Sequence, residues 1–403
     1  MTNQVKKVPE LRFPEFDGEW EEKKLGDIAH ITMGQSPKSS NYTNNDQDMV
    51  LVQGNADMKK GQIYPRIYTI EITKLAEIDD ILLSVRAPVG ELAIAQIRAC
   101  IGRGVCAINA NKFVYYNLEL FKVRNTWKLF SQGSTFESIS GNEIKKINFQ
   151  IPISKSEQQK IGGFFSKLDR QIELEEQKLE KLEEQKKGYM QKIFSQELRF
   201  KDDNGNEYPE WQFKNLGELG DTFTGLSGKT KDDFGYGDGL FITYMNVFKN
   251  TIAKSNMVER VKIGSNENQN RVQYGDILFT TSSEVPNEVG MSSIWLFNQD
   301  NIYLNSFCFG FRVVVNYIKP VYLARYLRSE EMRKTITILA QGSTRFNISK
   351  KEMMKLNIKV PYIEEQIKID NFFNKIDILI LKQGKKIEIL KHRKKGLLQK
   401  MFV

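Results

Sequence analysis

The sequence predicts an α+β protein. Two mixed α/β domains are separated by two long helices, which form an antiparallel coiled coil in a pseudo-two-fold, circular arrangement. Three observations carry that reading. The chain has 403 residues, more than one core of ordinary size accommodates. The segment SQGSTFESISGNEIKKINFQIP at 131–152 returns as AQGSTRFNISKKEMMKLNIKVP at 340–361, 209 residues later. A proline-free amphipathic stretch of helical period follows each copy.

Shorter anchors extend the repeat. Glu10-Leu11-Arg12-Phe13 recurs as Glu197-Leu198-Arg199-Phe200, and Trp20 with Leu25-Gly26 recurs as Trp211 with Leu216-Gly217. Asp80-Ile81-Leu82 matches Asp276-Ile277-Leu278, and Val89-Gly90 matches Val289-Gly290. Self-similarity of this kind marks duplicated architecture. The predicted organisation is a first domain at 1–153, a long helix at 154–196, a second domain at 197–362 and a second long helix at 363–403. The end of each unit is strongly similar, whereas its middle is barely so.

The helices follow from period and alignment. Residues 157–194 align with 365–402 without a gap, and 18 of the 38 positions are identical. Apolar residues at Ile161, Phe165, Leu168, Ile172, Leu179 and Leu182, and at Ile369, Phe373, Ile376, Ile380, Ile387 and Leu390, step in threes and fours, as a coiled-coil seam does. Tyr189, Ile193, Leu397 and Met401 continue the pattern. Both seams are interrupted at matching places, Glu175 with Gln383 and Lys186 with Lys394; polar seam residues fix register or partner at a cost in stability. Thirty-eight helical residues span about 57 Å at roughly 1.5 Å each, and a stripe that long needs a partner. The order domain, helix, domain, helix makes that pair antiparallel. Residues 1–10 would follow residue 403 as naturally as 197–200 follow the first helix.

Within the domains, short β-rich runs bounded by turn residues read as strands. In the first they fall near 50–53, 67–72, 81–85, 92–97 and 105–109; in the second, near 241–247, 277–281, 292–297 and 307–314. Helices are expected at 114–130 and 321–339. A short capped helix follows each QGST loop, with Ser140 and Glu143, and Ser349 and Glu352, in the capping-box spacing.

Composition narrows the chemistry. Lys and Arg number 59 against 50 Asp and Glu, a net charge of +9, which favours a polyanionic partner without specifying it. Three cysteines, Cys100, Cys106 and Cys308, without a CxxC pair, argue against disulfides and a zinc site. They read as buried thiols in a reducing, cytoplasmic compartment. No apolar run is long enough for a membrane span. No catalytic residue and no metal site is expected. No two prolines are adjacent, which removes the Pro-Pro pocket of an amino-methyltransferase. TGLSGKT at 224–230 imitates the tail of a phosphate-binding loop but has Phe223 where the first glycine belongs. The E-x-K spacings at Glu22–Lys24 and Glu176–Lys178 read as solvated charges.

Binding features are better supplied. Ser36, Lys38, Ser39 and Tyr42 combine hydroxyls, a cation and an aromatic after a glycine turn, a mixture suited to phosphate and base-edge contacts. Gln53 and Asn55, side chains able to bond adenine, precede Lys59. Arg86 sits at a strand end, and Arg103 lies between glycines, where backbone approaches a ligand closely. Ser134 and Thr135 in the first QGST loop, and Ser343, Thr344 and Arg345 in the second, can present hydroxyls and charge to a phosphate. In the second domain Ser227, Lys229, Asn246, Ser282, Ser283 and Asn287 occupy comparable places. Any one of these sites, taken singly, is also explained as a plain surface loop.

The two copies of QGST, the Asn-led strand ending in Pro152 or Pro361, the following Glu-Gln pair, FFxK[L/I]D and the Lys-Gly…Phe helix end together resemble the specificity subunit of type I restriction–modification systems, over nearly the whole length. The resemblance implies two target-recognition domains, each reading one half of a bipartite, asymmetric double-stranded DNA target, spaced by the helices. It implies two modification subunits that use S-adenosylmethionine to methylate adenine N6. It also implies two restriction subunits that use ATP and Mg²⁺, while this chain binds no cofactor and catalyses nothing. The alternatives are a self-contained modifying enzyme and a free-standing architectural or regulatory DNA-binding protein.

Overall fold

The computed structural model describes residues 7–130 and 138–403. It forms two units of closely matched design, Met1–Lys178 with Gln383–Val403, and Leu179–Lys382.

In the first unit Val105–Asn109 is the organising strand. It pairs antiparallel with His30–Met33 on one side and Ile81–Ser84 on the other. Ile81–Ser84 continues to Leu92–Ile94, and then to the small hairpin of Met58–Lys59 and Gln62–Ile63, completing six strands. A second sheet of five short strands is built on Ala99–Ile101, parallel to Met49–Val52 and antiparallel to Leu75–Ala76. Side chains alternate across a strand, and both faces are used. Ile81, Leu83, Cys106 and Ile108 pack with Lys112–Val123 and the long helix, whereas Leu82, Val105 and Ala107 join Val52, Ala76 and Ile101 between the sheets. Strands buried on both faces read as continuous apolar runs, as Ile81–Ser84 does.

The second unit repeats this plan with fewer strands. Cys308–Val313 pairs antiparallel with Gly220–Thr224 and Ile277–Thr280, and Ile277–Thr280 with Ser292–Ile294. Ile277, Phe279, Phe309 and Phe311 face the helices; Leu278 and Cys308 face a second core around Trp295. Asp80 and Asp276 explain the repeated Asp-Ile-Leu. Each accepts a backbone N–H three residues upstream, from Glu77 at 2.9 Å and Gln273 at 2.7 Å, so each ties a turn to the strand it opens. Gly90 and Gly290 lie at φ of 96° and 65°, in the left-handed region where a side chain is strained.

The two long helices run over Lys155–Phe194 and Ile363–Met401. Within the first unit they pair antiparallel. The Phe165 ring centre lies 5.8 Å from Phe402, Lys394 bridges Asp169 at 2.6 Å, and the Gln383 amide donates to the Glu175 carboxylate at 2.7 Å. Within the second unit Lys186 pairs with Asp377 at 2.8 Å and the Phe194 and Phe373 rings lie 6.1 Å apart, again with numbers falling on one helix as they rise on the other. The polar interruptions of the seam are thus satisfied. Glu175 accepts from Gln383, Lys386 and Lys178, which hold its carboxyl down to about 2, the Gln383 bond first.

Of the expected seam residues, Ile161, Phe165, Leu168, Ile172, Ile369, Phe373, Ile387 and Leu390 are buried. Leu179, Leu182, Ile376 and Ile380 are half-buried. At the end of the second helix the core takes Leu398 with Met401, which pack with Trp20 and Phe113 as well as with Ile161 and Phe165 of the first helix, and Leu397 is half-buried.

The repeated sequence anchors meet in one buried assembly per unit. Arg12 donates two hydrogen bonds to Glu157, at 2.7 and 2.8 Å, and Trp20 Nε1 donates to the same carboxylate at 3.3 Å. Arg199 donates to Glu365 at 3.2 and 2.8 Å, with Trp211 Nε1 at 2.9 Å. The next residue also repeats: the amides of Gln158 and Gln366 donate to the carbonyls of Pro152 and Pro361, at 2.9 and 2.8 Å. The Glu-Gln pair therefore fastens each long helix to its own domain.

Several local expectations differ from the structure. The helix expected at 114–130 is two, Lys112–Val123 and Trp127–Phe130, broken at Asn125 with φ 59°. That expected at 321–339 is Pro320–Tyr326 and Glu330–Ile338, the second capped by Ser329. The strand expected at 241–247 ends at Ile242, because the Thr243 hydroxyl caps a helix over Tyr244–Lys249. The capping box forms at Ser140 but not at Ser349, whose side chain makes no cap bond; Glu352 pairs instead with Lys355 at 2.7 Å.

Candidate nucleic-acid interface

In the first unit, backbone bonds gather separate loops into one edge. Gly34 N–H donates to the Val105 carbonyl at 3.0 Å, Gly102 N–H to Val52 at 2.8 Å, Val85 N–H to Gly104 at 2.9 Å and Ile139 N–H to Val85 at 3.0 Å. These bonds bring Ser36, Gln53, Arg86 and Arg103 together. The Ser36 hydroxyl accepts the Arg103 N–H at 3.1 Å. Asp57 accepts the Gln53 N–H at 2.8 Å and Arg66 at 2.9 Å, shaping the turn that carries Asn55. Arg86 and Arg103 are exposed, and among the described residues neither guanidinium has a hydrogen-bond or ion-pair partner.

The same bonds recur in the second unit. Gly225 N–H donates to Cys308 at 3.3 Å, Asn305 N–H to Ile242 at 3.2 Å, Thr281 N–H to Phe307 at 3.0 Å and Ile348 N–H to Thr281 at 3.0 Å. They align loops that share almost no sequence. Arg86 corresponds to Ser282, Arg103 to Ser306 and Gly104 to Phe307. The chemistry on the two edges is therefore different. At Gly104 a side chain would run into the Gln53 carbonyl, so backbone packs on backbone and Arg103 is displayed. At Phe307 an aromatic ring stands 55% exposed, with the Arg345 guanidinium 5.7 Å from its centre.

The remaining candidates divide. Lys38 and Ser39 are exposed beside a turn held by Glu71. That carboxyl accepts the Asn41 amide at 2.7 Å and the Lys38 N–H at 2.9 Å, which together lower it, the Asn41 bond first. Tyr42 is half-buried in a short strand opposite Thr69, and the Lys59 ammonium lies 3.7 Å from the Tyr64 ring centre. Ser134 and Thr135 lie outside the described residues. Ser343, Thr344 and Arg345 are exposed in a turn closed by paired bonds between Gln341 and Asn347. Ser227 and Asn287 are exposed, and the Asn287 carbonyl accepts Arg333 at 2.9 Å. Ser283 is half-buried and its hydroxyl donates to Glu288 at 3.0 Å.

Three candidates are turned inward. Asn246 is fully buried; its amide donates to the Lys254 and Met257 carbonyls at 2.8 and 3.0 Å and accepts the Lys254 N–H, so it braces a turn. Lys229 donates to the Lys262 carbonyl at 2.6 Å and pairs with Glu267, which occupies its charge within the loop. Ser282 is 5% exposed, and its carbonyl receives the Tyr244 hydroxyl.

Sequence reasoning missed Tyr244, Phe248 and Phe307. Tyr244 lay in the run 241–247 and Phe307 in the run 307–314, both read as strand, and Phe248 lay just past the first of them. The signal was present in Thr243, a cap residue that converts the run to a helix. Among the described residues no group of three or more His, Cys, Asp or Glu side chains is placed to hold a metal ion. No described helix is long and apolar enough to cross a membrane. All three thiols are buried; burial pushes Cys106 up to about 12 and raises Cys308 as well, which suppresses the thiolate that nucleophilic chemistry needs.

Comparison with known proteins gives a consistent result. Residues 17–184 and 208–391 match the model of the type I restriction modification DNA specificity domain. The MjaX type I restriction enzyme specificity subunit of Methanocaldococcus jannaschii is 34% identical over 197 residues, 46% of this chain and 45% of that one. The MjaIX specificity subunit of the same organism is 27% identical over 225 residues, 50% of this chain and 51% of that one. The match thus spans about half the length of these curated relatives. The type I restriction–modification S subunit from M. genitalium superposes with a TM-score of 0.57 at 16% identity, over 98% of this chain and 99% of that one. A chain from a study of complex assembly and conformational transition in the type I R-M system gives 0.59 at 17%, over 95% and 97%. These two likenesses establish the fold.

Proposed function

From the premise that this chain belongs to the type I restriction modification DNA specificity family, we propose that it reads a bipartite, asymmetric target on double-stranded DNA, one half with each unit. The observation that carries this reading is the pair of loop edges. They hang on the same backbone hydrogen bonds and display different side chains, as two readers of two different half-sites require. Arg86 and Arg103 suit the first half: a guanidinium bonds guanine O6 and N7 bidentately, or clamps a phosphate. Arg345 with the exposed hydroxyls of Ser343 and Thr344 suits phosphate contact on the second, where such bonds set register rather than sequence.

The chain itself performs no covalent step in this reading. Modification subunits, two per complex, bring S-adenosylmethionine and methylate adenine N6. Restriction subunits, also two, bring ATP and Mg²⁺ for translocation and cleavage. The site of action is the cytoplasm, where the DNA is.

The test is reconstitution with a type I modification subunit, followed by mapping of methylated adenines along genomic DNA. A single two-part motif is expected, with no methyl transfer and no cleavage by the purified chain alone. Methylation or cleavage by the chain alone would overturn the assignment, as would a complex that binds target and random duplex equally.

A further inference from the structure

The second unit carries a cavity of about 350 Å³ on the edge assigned to DNA. Tyr244, Phe248, Val285 and Phe307 form much of its wall, and Arg345 and Glu288 contribute polar atoms. We propose that this cavity receives one unstacked nucleobase of the second half-site. The proposal rests on the DNA-reading function above and adds to it a pocket for an extruded base.

The walls are fixed before any ligand arrives. The Tyr244 hydroxyl donates to the Ser282 carbonyl at 2.7 Å, and its ring lies near-parallel to Phe248, 14° between planes and 6.1 Å between centres. Beneath them the Arg328 guanidinium donates to the carbonyls of Val247 and Phe248, each at 2.9 Å, and locks the short helix that carries both rings. Phe307 is held through its backbone. Its N–H donates to Asn305 Oδ1 at 2.8 Å, and its carbonyl accepts the Thr281 hydroxyl at 2.7 Å. The loop that carries the 55%-exposed ring is therefore fixed at the cavity edge, with the Arg345 guanidinium 5.7 Å from the ring centre.

The occupant follows from size, charge and position. The volume falls in the range of small-molecule sites, in which a mostly apolar wall carries a few placed polar groups. Glu284 and Glu288 also line the cavity, and carboxylates repel phosphate while accepting from base amino groups. Arg345, above the Phe307 ring, supplies the cation for a neighbouring phosphate. Two parts of the wall, residues 282–288 and Phe307, lie on the loops that in the first unit display Arg86 and Arg103. There the place of Phe307 is taken by Gly104, packed against the Gln53 carbonyl. Extruding a base costs a few kcal/mol in lost stacking, which stacking on an aromatic side chain offsets.

The test uses the full chain with its modification subunit on duplexes carrying the mapped target. 2-Aminopurine is placed at each position of the second half-site in turn. Fluorescence should rise on binding at one position other than the methylated adenine. Phe307→Ala should abolish that rise and weaken target binding roughly tenfold, with binding to random duplex unchanged. Phe307→Tyr should retain both. An unaltered melting temperature for Phe307→Ala excludes misfolding as the cause. The proposal is overturned if no position brightens, or if brightening and affinity survive in Phe307→Ala. If the parent complex does not prefer its target to random duplex, the DNA-reading function itself fails, and that is scored before any probe is placed.

Discussion

Replacing Arg199 with methionine tests the assembly that the repeated sequence builds twice. Glu365 is fully buried, and its charge is met by Arg199 at 3.2 and 2.8 Å and by Trp211 Nε1 at 2.9 Å. Methionine keeps the apolar stem of the arginine and removes both charge-assisted bonds, leaving a buried carboxylate with one neutral donor. Breaking a buried pair from one side costs about 3–5 kcal/mol. The guanidinium also donates to the Tyr208 and Pro209 carbonyls at 3.2 and 2.8 Å, and each net bond adds about 1 kcal/mol. For a unit of this size each kcal/mol moves the melting temperature about 2–4 °C, so a total of about 5–7 kcal/mol should lower the transition of the second unit by roughly 10–28 °C. Calorimetry on the full chain reads it.

The double variant Arg199→Met with Glu365→Gln separates charge from shape. Glutamine retains an acceptor for Trp211 and carries no charge to strand, so most of the loss should return. Arg12→Met should do to the first unit what Arg199→Met does to the second, since Arg12 bonds the 1%-exposed Glu157 at 2.7 and 2.8 Å. A shift under about 3 °C for either single variant, or a double variant no better than the single, would refute the claim that a stranded charge sets the cost.

Two further outcomes are expected at the interface and the seam. Arg86→Ala or Arg103→Ala should lower affinity by about 1–3 kcal/mol for the intact target and relax discrimination in one half-site only, read by competition with duplexes altered in each half. An equal loss on all sequences would mean phosphate contact instead. The Glu175 carboxyl is lowered from 4.5 to about 2 by Gln383 first, then Lys386 and Lys178. A depressed carboxyl stabilises the fold above its ordinary value and ceases to do so as pH falls through the native one. The stability gap between the parent and Glu175→Gln should therefore hold at neutral pH and close between about pH 4.5 and 2, in paired melts; a gap independent of pH would show that charge is not its source.

What was legible in the sequence was whatever depends on period or on a repeated contact. The helix seam is a periodic signal, and Ile161, Phe165, Ile369 and Phe373 are buried where it places them. Glu157 and Glu365 could be matched by alignment, and so could Arg12 with Arg199 and Trp20 with Trp211, but nothing in the alignment joined the carboxylates to the arginines and tryptophans. Arg12 lies 145 residues from Glu157, and only the fold brings the two together. The candidate loops were harder. The exposure of Arg86 and Arg103 could be anticipated, because a strand end and flanking glycines announce it. Asn246 and Lys229 were misplaced because side chains suited to a base or a phosphate are equally suited to a neighbouring carbonyl. Phe307 was missed because an exposed phenylalanine looks, in sequence, like one more core residue.

The contrast between frame and edge has a physical cause. A buried carboxylate tolerates little variation, since removing any donor strands a charge. The arginine, tryptophan and glutamine around each long helix therefore recur as the same residue types in both units. The loop edge is held by main-chain bonds, Val85 to Gly104 and Thr281 to Phe307, which any residue with an N–H and a carbonyl can make. Side chains there are free to change without loosening the loop, provided backbone can still pass: at Gly104 the Gln53 carbonyl forbids a side chain, and Arg103 beside it is the one displayed. At Phe307 no such barrier stands, and the ring itself faces solvent. A frame fixed by side chains and an edge fixed by backbone let one architecture carry two unlike edges, and under the proposed function they predict that exchanging the edge loops of the two units would exchange their half-site preferences while leaving both melting transitions in place.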